Sequence, residues 1–191
     1  MDGFIAKIAE LMTMAGVDSK DIYFKRCLEL PGYYRPTKRW DIIVKHGDSL
    51  MAALELKSQV GSFDNNVNNR AEEAIGNAVD LWTAFRENAL APSISPWLGY
   101  LFLLQDCPES RTRGNRLNQP HFKVLPEFRN TTYSTRYEIL CRKLVLERQY
   151  NAACFMMADQ DNADKKENYR EPAEDLTAAV FLDRLLRQVA R

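Results

Sequence analysis

Three acid-x-Lys triplets occur in the chain: Asp18-Ser19-Lys20, Glu55-Leu56-Lys57 and Asp164-Lys165-Lys166. Such triplets arise by chance in any charged sequence, so their surroundings decide what they can do. Asp18 and Asp164 lie in polar connectors, whereas Glu55 and Lys57 end a strand-like run that opens with Leu50, Met51, Ala52, Ala53 and Leu54. Side chains alternate along a strand, so Glu55 and Lys57 share one face, with Leu54 and Leu56 on the other. Asp41 is a third ionisable group, set in the apolar run Trp40 to Val44, where an unpaired charge is costly. A tight turn centred on Gly47-Asp48 pairs residues whose numbers sum to about 95. Asp41 would then face Leu54, one step from Glu55. Two carboxylates and an ammonium converging at a sheet edge point to a divalent cation. Hard Mg²⁺ prefers carboxylate oxygens and leaves water-filled positions for a phosphate. Water on such a cation can be deprotonated near neutral pH to attack phosphorus, and Lys57 could orient or deprotonate that water. The reaction implied is phosphodiester hydrolysis. A plainer alternative is a cross-strand ion-pair cluster of modest stability where exposed, and on spacing alone it stands ahead.

Other chemistry-bearing residues carry less. His46 reads as a turn residue and His121 as a loop residue, neither flanked by the acid or cysteine a histidine-based triad needs. Glu10 and Glu73 could each add a metal carboxylate from a helix, but an exposed helical glutamate is the simpler assignment. The four cysteines, Cys27, Cys107, Cys141 and Cys154, are far apart and lack CxxC spacing. They read as reduced packing residues of a cytoplasmic protein, not as a zinc site.

The elements that must position Asp41, Glu55 and Lys57 follow from length and periodicity. The chain has 191 residues, 46% of them apolar, which predicts a single domain over residues 1–191 with a real core. Lys+Arg and Asp+Glu balance at 26 each, which excludes a histone-like or membrane-coating polycation and makes any anion-binding surface local. No stretch has the length and apolarity of a membrane span, and the first residues lack the pattern of a secretion signal. Residues 3–15 hold helical period and close on Gly16. Residues 22–30, 39–45 and 50–57 read as three strands, the last two joined as an antiparallel hairpin. Residues 58–69 read as a polar loop with a possible helix start, and from Val67 to about Leu90 the apolar spacing is that of a long helix. Trp97 to Leu104 and Ala152 to Ala158 are apolar runs of strands covered on both faces. A helix over residues 134–150 lies between them and another over 176–189 follows. Residues 105–133 form a long excursion and residues 159–175 a charged loop. The order implies an α/β fold with a mixed central sheet flanked by helices.

The segments ELPGYYRPTKRWDIIV and LMAALELKSQVGSFDNNVNNRAEEAIGNAVDLWTAFRE resemble the XhoI-type family of type II restriction endonucleases. PWLGYLFLLQDCPES, HFKVLPEF and RYEILCRKLVLERQYNAACFMM resemble the same family, so the likeness runs from about residue 29 to 158. The resemblance implies a PD-(D/E)xK restriction-endonuclease-like core, Mg²⁺ dependence and cleavage of double-stranded DNA at CTCGAG. Asp41 takes the place of the motif's aspartate, Glu55 of its second acid and Lys57 of its lysine, with Asp41 and Glu55 as metal ligands. Trp40 replaces the motif's proline, which removes no ligand. Relatives carry a longer segment before the first helix, so DNA or dimer contacts made by such a segment are expected to be missing here.

Local charge supports a DNA footprint. Residues 22–45 hold six basic side chains against two acidic ones, and residues 105–148 nine against five, while residues 159–175 are acidic. Arg111, Arg113 and Arg116 are the leading phosphate or guanine contacts, since a guanidinium can bond guanine O6 and N7 together. Asn65, Asn66, Asn68, Asn69 and Arg70 follow the active strand directly, and asparagine can read adenine. For each, a solvated loop residue or a helix cap is the plainer assignment. Gln59 could share the face of Lys57 and touch the scissile phosphate. A palindrome asks for two-fold symmetry, and a radius of gyration of roughly 16 Å is too small to surround the duplex, so a homodimer is expected. The function expected is that of a type II restriction endonuclease. The alternatives are a repair or resolving nuclease on the same core, or a non-catalytic DNA-binding module.

Overall fold

The computed structural model describes residues 1–114, 117–159 and 168–190. The chain opens with α1 (Asp2–Met14) and passes through β1 (Ile22–Tyr23), β2 (Glu29–Pro31) and β3 (Thr37–Arg39) into β4 (Ile42–His46) and β5 (Ser49–Gln59). From there α2 (Phe63–Arg86) leads to β6 (Trp97–Gln105) and α3 (Tyr133–Leu146) to β7 (Ala152–Ala158). After β8 (Tyr169–Arg170) comes α4 (Ala178–Val189). Six strands pair in the order β1-β4-β5-β6-β7-β8, while β2 and β3 pair separately. β5, β6 and β7 run parallel, and the outer pairs are antiparallel. Parallel neighbours need crossovers, which α2 and α3 supply. This is the mixed sheet with flanking helices that the element order implied, and it is consistent with a restriction-endonuclease-like fold.

The residues of β5 from Ala52 to Leu56 are all buried, as expected for a strand covered on both faces. One face carries Ala53, Tyr100, Phe102 and Phe155 under Phe63, Ala78 and Leu81 of α2 and Tyr137 and Cys141 of α3. The other carries Ile42, Leu54, Leu56 and Leu101 under Ile8 and Met12 of α1 and Phe181 and Leu185 of α4. Strand alternation therefore turns Glu55 and Lys57 toward the α2–α3 side, and an apolar core closes the sheet behind them.

Four expectations change. The run at residues 22–30 is not one strand: Cys27 takes φ 57, which breaks it into β1 of the main sheet and β2 of the arm. The run at residues 39–45 is split as well, because Arg39 ends β3 and Trp40-Asp41 forms the crossing into β4. The hairpin pairs Lys45 with Leu50 near its turn, but an irregularity between Val44 and Lys45 pairs Ile42 with Leu54. The added residue is Met51 on β5, which has no partner in the register, and it brings Asp41 alongside Glu55 instead of Leu54. Finally, the asparagine-rich segment is helical from Phe63, since fully buried Phe63 and Val67 stand one turn apart and anchor it to the core. Gly61 and Ser62, both with positive φ, make the sharp turn that lets the helix start so soon after β5.

Cys141 and Cys154 are buried packing residues, whereas Cys27 is exposed. Among the described residues no helix is long and apolar enough to cross a membrane. Phe102 on β6 is fully buried, with its ring stacked 4.5 Å from that of Tyr137 on α3. Phe102→Ala should cost about 3–5 kcal/mol of unfolding free energy, read by urea denaturation, because the cavity lies where α3 meets the sheet.

Candidate active site

Glu55 sits near the middle of β5 with its side chain only 3% exposed, so its carboxylate must find partners inside the protein. Lys57 Nζ lies 2.7 Å from Glu55 Oε1, and Lys38 Nζ from β3 lies 2.6 Å from Oε2. Asn77 of α2 adds a longer bond, its Nδ2 donating to Oε1 at 3.4 Å. Asp41 is held by the adjacent backbone: its N–H donates to Leu54 O at 3.1 Å, and its Oδ2 accepts from Leu56 N–H at 2.7 Å. Asp41 Oδ1 has no hydrogen-bond partner among the described residues. Burial raises the Asp41 carboxyl above the usual carboxylate range; the Leu56 N–H opposes this and the negative charge of Glu55 adds to it. Burial also lowers the Lys38 ammonium, against the pull of Glu55.

The arm of β2 and β3 delivers Lys38, and α2 fixes the arm. Asp80 Oδ1 accepts from Tyr33 N–H and Tyr34 N–H, each at 2.8 Å, and its Oδ2 accepts from Arg35 Nε at 2.8 Å. Arg35 also donates to Asn77 Oδ1 at 2.8 Å, so one chain of bonds runs from the tip of the arm to Glu55. Gly32 makes room for it, since a Cβ there would meet Arg35 O and Asp80 Oδ2 at 2.7 Å. Burial works upward on the Asp80 carboxyl, but the Tyr34 and Tyr33 N–H groups and Arg35 outweigh it and hold it below the usual range.

The structure thus gathers Asp41, Glu55 and Lys57 on one edge of β5. Sequence reasoning missed Asn77, Asp80 and the internal role of Arg35, and it counted Lys38 only among surface basic residues. A signal did exist. Asn77 and Asp80 are polar, one turn apart, and lie beside the apolar stripe Ala74, Ala78 and Leu81. Half of the six basic residues of 22–45 are engaged within the protein, Arg35 with Asp80, Lys38 with Glu55 and Arg39 with Glu29.

The other candidates scatter around this edge. Gln59 is buried; its amide donates to Gly61 O at 2.7 Å and accepts from Arg70 Nε at 3.3 Å, bracing the turn into α2. Arg70 also pairs with Glu73 at 2.7 Å. Asn65, Asn68 and Asn69 are exposed on the first turns of α2, while Asn66 donates to Ser62 O at 2.8 Å. Arg111 is tied to Asp106 at 2.6 Å. Arg113 is exposed and bridges Thr132 through its backbone. Arg116 lies outside the described residues. His46 is the exposed last residue of β4, 3.8 Å from Asp21, and Glu10 pairs with Lys7 at 3.0 Å.

Among the described residues no three His, Cys, Asp or Glu side chains cluster as a metal cage. The donor set is two carboxylates, one with an oxygen to spare. That fits a hard divalent cation of the kind that binds one or two carboxylates and completes its shell with water and phosphate.

The family model described as restriction endonuclease XhoI matches residues 1–170. The chain belongs to the XhoI restriction endonuclease family. The match is wider than the segments quoted above and takes in α1. The type II restriction enzyme BstVI of Geobacillus stearothermophilus is 48% identical over 196 residues, covering 100% of this chain and 87% of that enzyme. The type II restriction enzyme XhoI of Xanthomonas vasicola is 52% identical over 150 residues, covering 77% of this chain and 60% of that enzyme. AbrI of Azospirillum brasilense, also a type II restriction enzyme, is 52% identical over 125 residues, with 64% of this chain and 56% of the enzyme covered. No solved structure matches the chain at a significant level. Membership of the XhoI family makes the chain a type II restriction endonuclease, a site-specific deoxyribonuclease acting on double-stranded DNA.

Because the Asp80 carboxyl is held below its ordinary value, it contributes stability that is complete above about pH 4 and is lost as pH falls through its lowered value. In thermal melts, Asp80→Asn should therefore lower the melting temperature at pH 7 by roughly 4–8 °C, with the gap to wild type shrinking below pH 4.

Proposed function

We propose that this XhoI-family endonuclease cleaves double-stranded DNA at CTCGAG, with Asp41 and Glu55 as Mg²⁺ ligands and Lys57 assisting the attacking water. The observation that carries the reading is the placement of Asp41 beside Glu55 with Lys57 on the same face, one carboxylate oxygen still free. When bound, the cation supplies a more acidic water and stabilises charge on the phosphorane-like transition state. The chain's own groups do the rest. The Leu56 N–H fixes one Asp41 oxygen, so the other points to a single place. The Lys57 ammonium is partly exposed, which lets it reach a phosphate or water. Among the described DNA-contact candidates, Asn65, Asn68, Asn69 and Arg113 are exposed and able to meet bases or phosphates. Residues 1–191 act as one nuclease domain in the cytoplasm, and two copies pair as a homodimer so that each half of the palindrome meets one site.

Purified protein should cut duplex DNA containing CTCGAG, but not scrambled controls, and only with Mg²⁺ present. Glu55→Gln and Asp41→Asn should each lower the cleavage rate by at least about 10³-fold, with the fold retained by circular dichroism, because each removes a charged metal ligand. Cutting by Glu55→Gln at a rate near wild type would refute its role. Sedimentation with a CTCGAG duplex should give two protein chains per DNA, and a lone chain on the duplex would refute the dimer.

A further inference from the structure

Glu55 has two lysine partners, and they differ in kind. Lys57 is 31% exposed and has no other partner among the described residues. Lys38 is 9% exposed, donates to Arg39 O at 2.9 Å as well as to Glu55, and lies over the Trp40 ring at 4.2 Å. Its ammonium is thus enclosed by a carboxylate, a carbonyl and an aromatic face, a cage built for a fixed cation. A divalent cation at Asp41 and Glu55 must take over one Glu55 oxygen, and the less enclosed lysine is the one able to yield it. In the sequence, its place before Trp40-Asp41 gives only a basic residue in a basic run.

We propose that Lys38 is a positioning residue, a built-in counter-ion that holds Glu55 through Oε2 and leaves Oε1, Asp41 and Lys57 to serve the metal and the water. The inference rests on the reading of Asp41 and Glu55 as metal acids. It has a signature that a merely structural lysine lacks. Removing the Lys38 charge strengthens the attraction of the site for a divalent cation, yet frees Glu55 to leave its catalytic position, so metal affinity and cleavage move in opposite directions.

The test uses the full chain. Lys38→Met should bind Mn²⁺, followed by electron paramagnetic resonance of the free ion, roughly tenfold more tightly than wild type. Its cleavage rate at saturating Mg²⁺ should fall about 10²-fold. Without metal, Lys38→Met should melt roughly 10 °C lower, since it leaves a buried carboxylate short of its partner. Lys38→Met/Glu55→Gln should regain part of that loss, because the orphaned charge has gone. If Lys38→Met fails to fold, Lys38→Gln, which keeps a donor and drops the charge, is measured in the same way. Mn²⁺ affinity equal to wild type, or no recovery in the double variant, overturns the role of Lys38 and leaves the metal acids standing. Wild-type protein that binds no Mn²⁺ overturns the reading of Asp41 and Glu55, and this inference with it.

Discussion

A carboxylate buried on the inner side of a sheet cannot be left alone, and Glu55 is the group around which this protein is arranged. Moving such a charge out of water costs several kcal/mol unless hydrogen-bonding cations and dipoles replace the solvent. Glu55 receives two ammonium groups and an amide, each from a different part of the chain: Lys57 from β5 itself, Lys38 from the arm, Asn77 from α2. The fold must therefore bring three elements to one point, and several of its other features serve that convergence.

The arm shows how. β2 and β3 make no strand pairing with the main sheet, so their position depends on side chains. Asp80 supplies it by accepting from the two backbone N–H groups of the arm's tip and from Arg35. Because α2 leaves β5 through the tight Gly61–Ser62 turn, the same helix that buries Phe63 against the sheet also carries Asn77 and Asp80 to the arm. Packing and electrostatics are thus joined in one helix. Charged groups that look like a DNA footprint in the linear sequence are here partly structural. Family membership sets the activity, while these bonds set which cations remain free to meet DNA.

Much of this was legible beforehand. The apolar runs that became β5, β6 and β7 are strongly patterned, and the alternation along β5 was enough to put Glu55 and Lys57 on one side. Asp41 was found because a charge inside an apolar run needs a reason. The register was not found, since the irregularity between Val44 and Lys45 leaves no mark in residue type. Nor was the break at Cys27, because positive φ in a non-glycine residue is imposed by the chain on both sides of it. The helical start at Phe63 was obscured by asparagines that favour turns in isolation but lie here on the solvent side of a helix anchored by Phe63 and Val67.

By itself the sequence determined the order of the four helices and of β5, β6 and β7, the burial of β5 and the pairing of an acid with a lysine two residues on, because periodicity and composition are local properties. Only the tertiary structure decided that Asp41 stands beside Glu55 and that Lys38, Asn77 and Asp80 belong to the same network. These residues are 14 to 47 positions from their partners. Contacts at such separations depend on how strands slip past one another and how a helix returns across a sheet, which no single stretch of the chain encodes.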